Sequence, residues 1–98
     1  MKQNFLYLVP AAILALGVQG ASAACYADYK AKQDDPLRLH YGVIKLSSGS
    51  CDSKSSAESE ISRKIDRDDW TILKVIGKFD ESGLNERKSR AGTYYLKY

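Results

Sequence analysis

Two cysteines, Cys25 and Cys51, stand directly behind an apolar leader, and this arrangement bounds what the chain can fold into more tightly than any other feature. Lys2 precedes the apolar run Phe5 to Val18, and Ala21-Ser22-Ala23 then sets small side chains at the −3 and −1 positions of a signal-peptidase site. The pattern predicts a cleaved signal peptide over 1–23 and a mature chain beginning at Ala24. A membrane anchor is the competing reading, but fourteen residues at about 1.5 Å each reach about 21 Å, short of a hydrocarbon core of about 30 Å. No stable anchor is therefore expected after cleavage. A lipoprotein reading, with lipid on Cys25, is left open by the small residues Ser22, Ala23 and Ala24, although the usual aliphatic residue three positions earlier is missing. An even cysteine count in an exported, oxidising setting predicts one Cys25–Cys51 disulfide and a periplasmic or secreted location.

The mature chain needs such a tie. Only 28 of its 75 residues belong to the apolar set, close to the lower limit for a core that supports itself. One small domain over 24–98 is the most it can build. Its net charge of +2 is too weak to identify nucleic acid or acidic lipid as a partner.

Cys25 to Lys32 alternates, with Ala27, Tyr29 and Ala31 on one face and Tyr26, Asp28, Lys30 and Lys32 on the other, as a half-buried strand does. Turn residues Gln33 to Pro36 break it. Leu37 to Leu46 alternates again, placing Leu39, Tyr41 and Val43 opposite His40, Gly42, Ile44 and Leu46, so the two runs can form a hairpin. The first run either pairs fully or continues as an irregular arm. After a Ser/Gly-rich loop, Ser55 and Glu58 match a capping box that opens a helix whose stripe is Ala57, Ile61 and Ile65. Asp68 and Asp69 end it. Trp70 to Phe79 has strand composition, but its apolar residues fall on both faces: Trp70, Ile72 and Ile76 against Leu73, Val75 and Phe79. Either both faces are covered, as in a central strand, or a bulge changes register; partial cover is the preferred reading. The charged segment Asp80 to Arg90 reads as a loop and Gly92 to Tyr98 as a last strand.

The expected fold is α+β, one helix packed on a small, mainly antiparallel sheet in the order (β)βαββ. Ile61 to Tyr98, a short helix leading into Asp-Trp-Thr-Ile-Leu-Lys-Val and ending in Tyr-Tyr-Leu-Lys-Tyr, resembles a small bacterial domain family of unknown function. That family's helix runs into a Gly-Trp-Glu-Leu-type strand, and Asp69 holds the place of its Gly. The start, CYADYKAKQDDPLRLHYG, is similar to uncharacterised exported proteins of alphaproteobacteria. These resemblances imply a fold and bring no activity.

Chemistry is sparse. His40 is the sole histidine, so no His-rich metal site can form, and no cofactor motif or nucleophile signature accompanies it. Asp66, Asp68 and Asp69 lack the loop of a calcium site. Basic clusters at Arg63, Lys64 and Arg67 and at Arg87, Lys88 and Arg90 are interspersed with acids, and export removes most nucleic-acid partners. The expectation is an exported, non-enzymatic domain that binds a protein or envelope component, or else an inhibitor or accessory subunit of a periplasmic enzyme or complex. Its expected binding residues are Leu84, Arg87, Lys88 and Arg90 on a long loop, with Tyr94 and Tyr98 on an adjoining edge strand. Oligomeric state is not legible in the sequence.

Overall fold

The alternation of the first two apolar runs is what builds the sheet. In the computed structural model, which describes residues 24–98, they form β1 (Cys25–Gln33) and β2 (Arg38–Leu46), an antiparallel hairpin in continuous register from Cys25–Leu46 to Gln33–Arg38. The expected signal peptide, 1–23, lies outside the described residues. A third strand, β3 (Thr71–Phe79), adds antiparallel to the other side of β1, giving the order β2-β1-β3. The architecture is α+β with a three-stranded antiparallel sheet, as the alternation and the helical stripe predict.

The central strand is β1, however, and Trp70–Phe79 is not. Ala27, Tyr29 and Ala31 are fully buried on one face of β1, and Tyr26 and Asp28 are buried on the other. Bulges, the alternative to partial cover of both faces, account for the mixed parity of β3. Its register against β1 shifts twice: Ala31 faces Ile72 and Lys30 faces Lys74, then Tyr29 faces Val75 and Asp28 faces Gly77. Leu73 and Ile76 are thus the extra residues of two bulges, which restore Ile72 and Val75 to the core side and leave both extra side chains exposed.

Helix α1 (Lys54–Ile65) lies on the first face of the sheet and buries Ala57, Ile61 and Ile65 against Ala27, Tyr29, Ile44, Leu46 and Val75. It starts earlier than the capping box predicts. Ser53, with extended backbone, is the N-cap, and its Oγ accepts from the Ser56 N–H at 3.0 Å, so Ser55 falls inside the first turn. Glu60 lies off the Ala57, Ile61 and Ile65 stripe yet is buried: it accepts from the Ser47 N–H at 3.1 Å and hydroxyl at 2.9 Å and pairs with Lys64 at 2.8 Å. That carboxylate ties the turn after β2 to the helix. A 3-10 turn, Asp66–Asp68, follows, and Asp69 closes it in the left-handed conformation (φ 66°), which Asp tolerates better than most residues and Gly better still. The expected disulfide is present, joining Cys25 to Cys51 in the 3-10 turn Ser48–Cys51.

Both C-terminal expectations, a loop over Asp80 to Arg90 and a strand over Gly92 to Tyr98, differ from the structure. Asp80 to Arg90 is a 3-10 turn, Glu81–Gly83, followed by a short helix α2 (Asn85–Ala91). Gly92 to Tyr98 is no strand; Gly92 (φ 53°) turns the chain, and one parallel bridge joins Tyr95 to Val43. Seven residues with one buried side chain, Ala91, give too narrow an apolar stripe to announce a helix. What docks α2 on the second face of the sheet is Arg87, whose Nε donates to the buried Asp28 carboxylate at 3.0 Å while its guanidinium lies 3.9 Å from the Phe79 ring centre.

One glycine is fixed by a close approach. Gly42 faces Tyr29 across the hairpin, and a Cβ at Gly42 would stand 2.5 Å from Cζ and Oη of that ring. The ring has nowhere to go, since it is fully buried and its hydroxyl is bonded to His40 at 2.9 Å. Gly42→Ala is expected to destabilise the domain by about 2 kcal/mol in denaturant titration, overpacking outweighing the chain-entropy gain. Gly49→Ala, with open space around its Cβ, should change stability little. Equal midpoints for the two variants would contradict this packing.

Candidate functional site

Helix α2 covers only part of the second face of the sheet. Beyond it, the faces of β1, β2 and β3 present Lys30, Leu39, Tyr41, Leu73, Lys74 and Ile76. They line two adjoining shallow depressions that share Lys30 and Tyr41. One, of about 510 Å³, is bounded by Lys30, Tyr41, Lys74, Ile76 and Arg90; the other, of about 260 Å³, is flanked by Leu39 and Leu73. Together they make an open groove running over β1 between its two neighbours.

Register explains the chemistry of this groove. Lys30 on β1 faces Tyr41 on β2 and Lys74 on β3, so two ammonium-bearing side chains are set directly opposite one another. Such a pair opposes sheet formation. Arg90 reaches in from the last turn of α2, with its guanidinium 4.3 Å from the Tyr41 ring centre. Among the described residues, the ion pairs use Lys32, Lys64 and Arg87, and Lys30, Lys74 and Arg90 take part in none. No carboxylate lines the groove. Around these cations Leu39, Leu73 and Ile76 are 64%, 49% and 41% exposed, large aliphatic side chains held in water by rigid strands.

Of the residues expected to bind a partner, only Arg90 belongs to this groove. Arg87 is committed to Asp28, to the Gly83 carbonyl at 2.7 Å and to Glu86 at 2.9 Å. Reversing its charge would strand a buried carboxylate, so Arg87 is a structural clip. Leu84 is half-buried at the start of α2, and Lys88 is exposed with its ammonium 5.7 Å from the Tyr95 ring centre. Tyr94 and Tyr98 pack on the main core. The Tyr94 ring stacks on His40 with centroids 3.7 Å apart, and the Tyr98 hydroxyl donates to Asp68 at 2.7 Å. These tyrosines are therefore not side chains of a free edge strand.

The absent last strand leaves β2 edged by the tail, where the Leu96 N–H donates to the Val43 carbonyl at 2.8 Å. The groove residues Lys30, Leu39, Tyr41, Leu73 and Ile76 were all visible in the strand pattern. Their juxtaposition depends on the strand order and on the two bulges.

His40 is enclosed. Its ring is stacked against Tyr94, meets Trp70 edge-on at 4.2 Å, and shares a hydrogen bond with the Tyr29 hydroxyl. Burial lowers its pKa from 6.5 to about 4 and, in the other direction, raises that of the Tyr29 hydroxyl. Among the described residues no three His, Cys, Asp or Glu side chains gather as a ligand set. Comparison with protein-family models, with curated proteins and with solved structures gives no match.

Proposed function

We propose that the chain is an exported, non-enzymatic binding module that holds a protein or envelope component on the open groove of its sheet. The observation that carries this reading is the Lys30–Lys74 opposition, reinforced by Arg90 and bordered by exposed Leu39, Leu73 and Ile76. Like charges set face to face work against sheet formation, and large aliphatic groups gathered at one groove leave apolar surface in water that the fold itself does not cover. An anionic partner with apolar surface relieves both. The enclosure of His40 supports a non-enzymatic role, because the one side chain with an ordinary pKa near neutrality is spent on packing. The Cys25–Cys51 disulfide fits an oxidising extracellular compartment, and the apolar leader supports export to the periplasm or beyond.

The test is site-specific photo-cross-linking in the native host. A photoreactive side chain at Ile76 is expected to give discrete products, and one at Arg63 on the exposed side of α1 is not. Lys30→Glu combined with Lys74→Glu should abolish the Ile76 products. That variant keeps a like-charge pair, so its stability should stay near that of wild type. Products of equal yield from both positions, or products indifferent to the charge reversal, would overturn the assignment.

A further inference from the structure

We infer that the groove seats on the surface of an anionic lipid bilayer, making the domain a reversible peripheral binder of acidic membranes; this rests on the binding reading above and names its partner. The first ground is the kind of residue present. Protein interfaces concentrate aromatic residues and Arg at their centres and exclude Lys, and their energetic anchors are seldom Leu. Here two of the three cations are Lys30 and Lys74, and the apolar contribution comes from Leu39, Leu73 and Ile76. Lys and Arg beside aliphatic side chains, with one tyrosine between them, is the composition of surfaces that rest at a headgroup boundary. Tyr41 is that tyrosine, half-buried with Arg90 over its ring.

The second ground is distribution. The large exposed hydrophobic residues of the described chain are Leu37, Leu39, Leu73, Ile76 and Leu96. Three of them border the groove, and Leu37 stands two residues before Leu39 at the hairpin turn. The bulges of β3 are what turn Leu73 and Ile76 outward. A bulged strand also presents a poor edge for a partner strand, which speaks against an added peptide strand on that side.

The third ground is charge. The net charge of +2 over residues 24–98 hides a segregation: Lys30, Lys74 and Arg90 share this groove with no acid, while Asp28, the nearby carboxylate, is buried and held by Arg87 and the Tyr41 hydroxyl. Each basic residue close to an anionic leaflet strengthens attachment about fivefold, so three of them with shallow aliphatic insertion give weak, reversible attachment. Lys30, Lys74 and Arg90 are all exposed at the rim of depressions that open to solvent, so a bilayer surface can meet the three cations together.

The experiment is co-sedimentation of the oxidised protein, as recovered from its host, with large unilamellar vesicles. Expected are binding to vesicles of phosphatidylcholine and phosphatidylglycerol, little binding to phosphatidylcholine alone, and a loss of about tenfold or more on passing from low to physiological salt. Lys30→Glu with Lys74→Glu should weaken binding by at least about twentyfold. Leu73→Ser with Ile76→Ser should weaken it as well, with circular dichroism unchanged in both variants. Inorganic phosphate at the same anion concentration should compete no better than chloride, since the site is a surface and not a phosphate pocket.

Failure to prefer phosphatidylglycerol, or wild-type binding by both variants, overturns the lipid assignment. If vesicles fail while Ile76 cross-links an acidic protein, the partner is that protein and the binding module stands. If vesicles fail and Ile76 yields nothing, both readings fall.

Discussion

Replacing Cys25 and Cys51 by serine is expected to lower the unfolding free energy of the domain by about 3.5 kcal/mol, from the entropy of closing a loop of this length in the unfolded chain. The bond spans 26 positions and ties the first residue of β1 to the turn that leads into α1. Both cysteines also pack against the core, so serine there removes apolar contact in addition. Small single domains have only about 5 to 15 kcal/mol in total, and this one buries few large side chains. The double variant should therefore melt many degrees lower than wild type, and reduction of the wild type should reproduce the shift. A reduced protein with the same urea midpoint as the oxidised one would show that the core stands without the tie.

Acid should unfold the domain in two joined stages. Burial among aromatic rings holds the His40 pKa at about 4, whereas the unfolded chain takes up that proton near 6.5. The unfolded state then binds more protons below 6.5, so stability is complete above that pH and drains away as pH falls to about 4. Glu60 supplies the next stage. Its burial favours the protonated form, but hydrogen bonds from Lys64, Ser50 and Ser47 outweigh it and bring the pKa from 4.5 down to about 2. Its contribution is present above 4.5 and is lost as pH falls toward 2. Each loss is on the order of a few kcal/mol, and both run the same way, so the domain is least stable in strong acid. Urea midpoints should fall steadily from neutrality to strong acid. In His40→Phe the portion between pH 6.5 and 4 should flatten, with the lower portion retained. A wild-type midpoint that does not change between pH 7 and 4 would refute the enclosed, neutral His40.

The parts of this fold that are legible in sequence are those written in local periodicity. Ala27, Tyr29 and Ala31, then His40, Gly42, Ile44 and Leu46, alternate cleanly and are buried as their alternation requires. Ala57, Ile61 and Ile65 mark α1 by the same logic at helical spacing. Where a long-range contact decides the local structure, periodicity fails. Leu73 and Ile76 break the parity of β3 because two bulges accommodate them, and the bulges exist only in register with β1. Asn85–Ala91 carries one apolar anchor and is held down by a carboxylate at Asp28, far back in the sequence. The groove is harder still to foresee. Lys30 and Lys74 look like ordinary solvated positions of two strands until the sheet places them side by side.

The strand that begins the described chain is also the innermost strand of the sheet. A polypeptide delivered end first can close the β1–β2 hairpin early, but the other side of β1 stays unpaired until Thr71–Phe79 has been delivered. Through that interval Tyr26, Asp28 and Tyr29, all buried in the finished domain, lie along an open row of backbone donors and acceptors. Assembly is thus governed by the late residues, and a chain cut short before Thr71 would display as its outer margin the very strand that the complete sheet keeps in the middle.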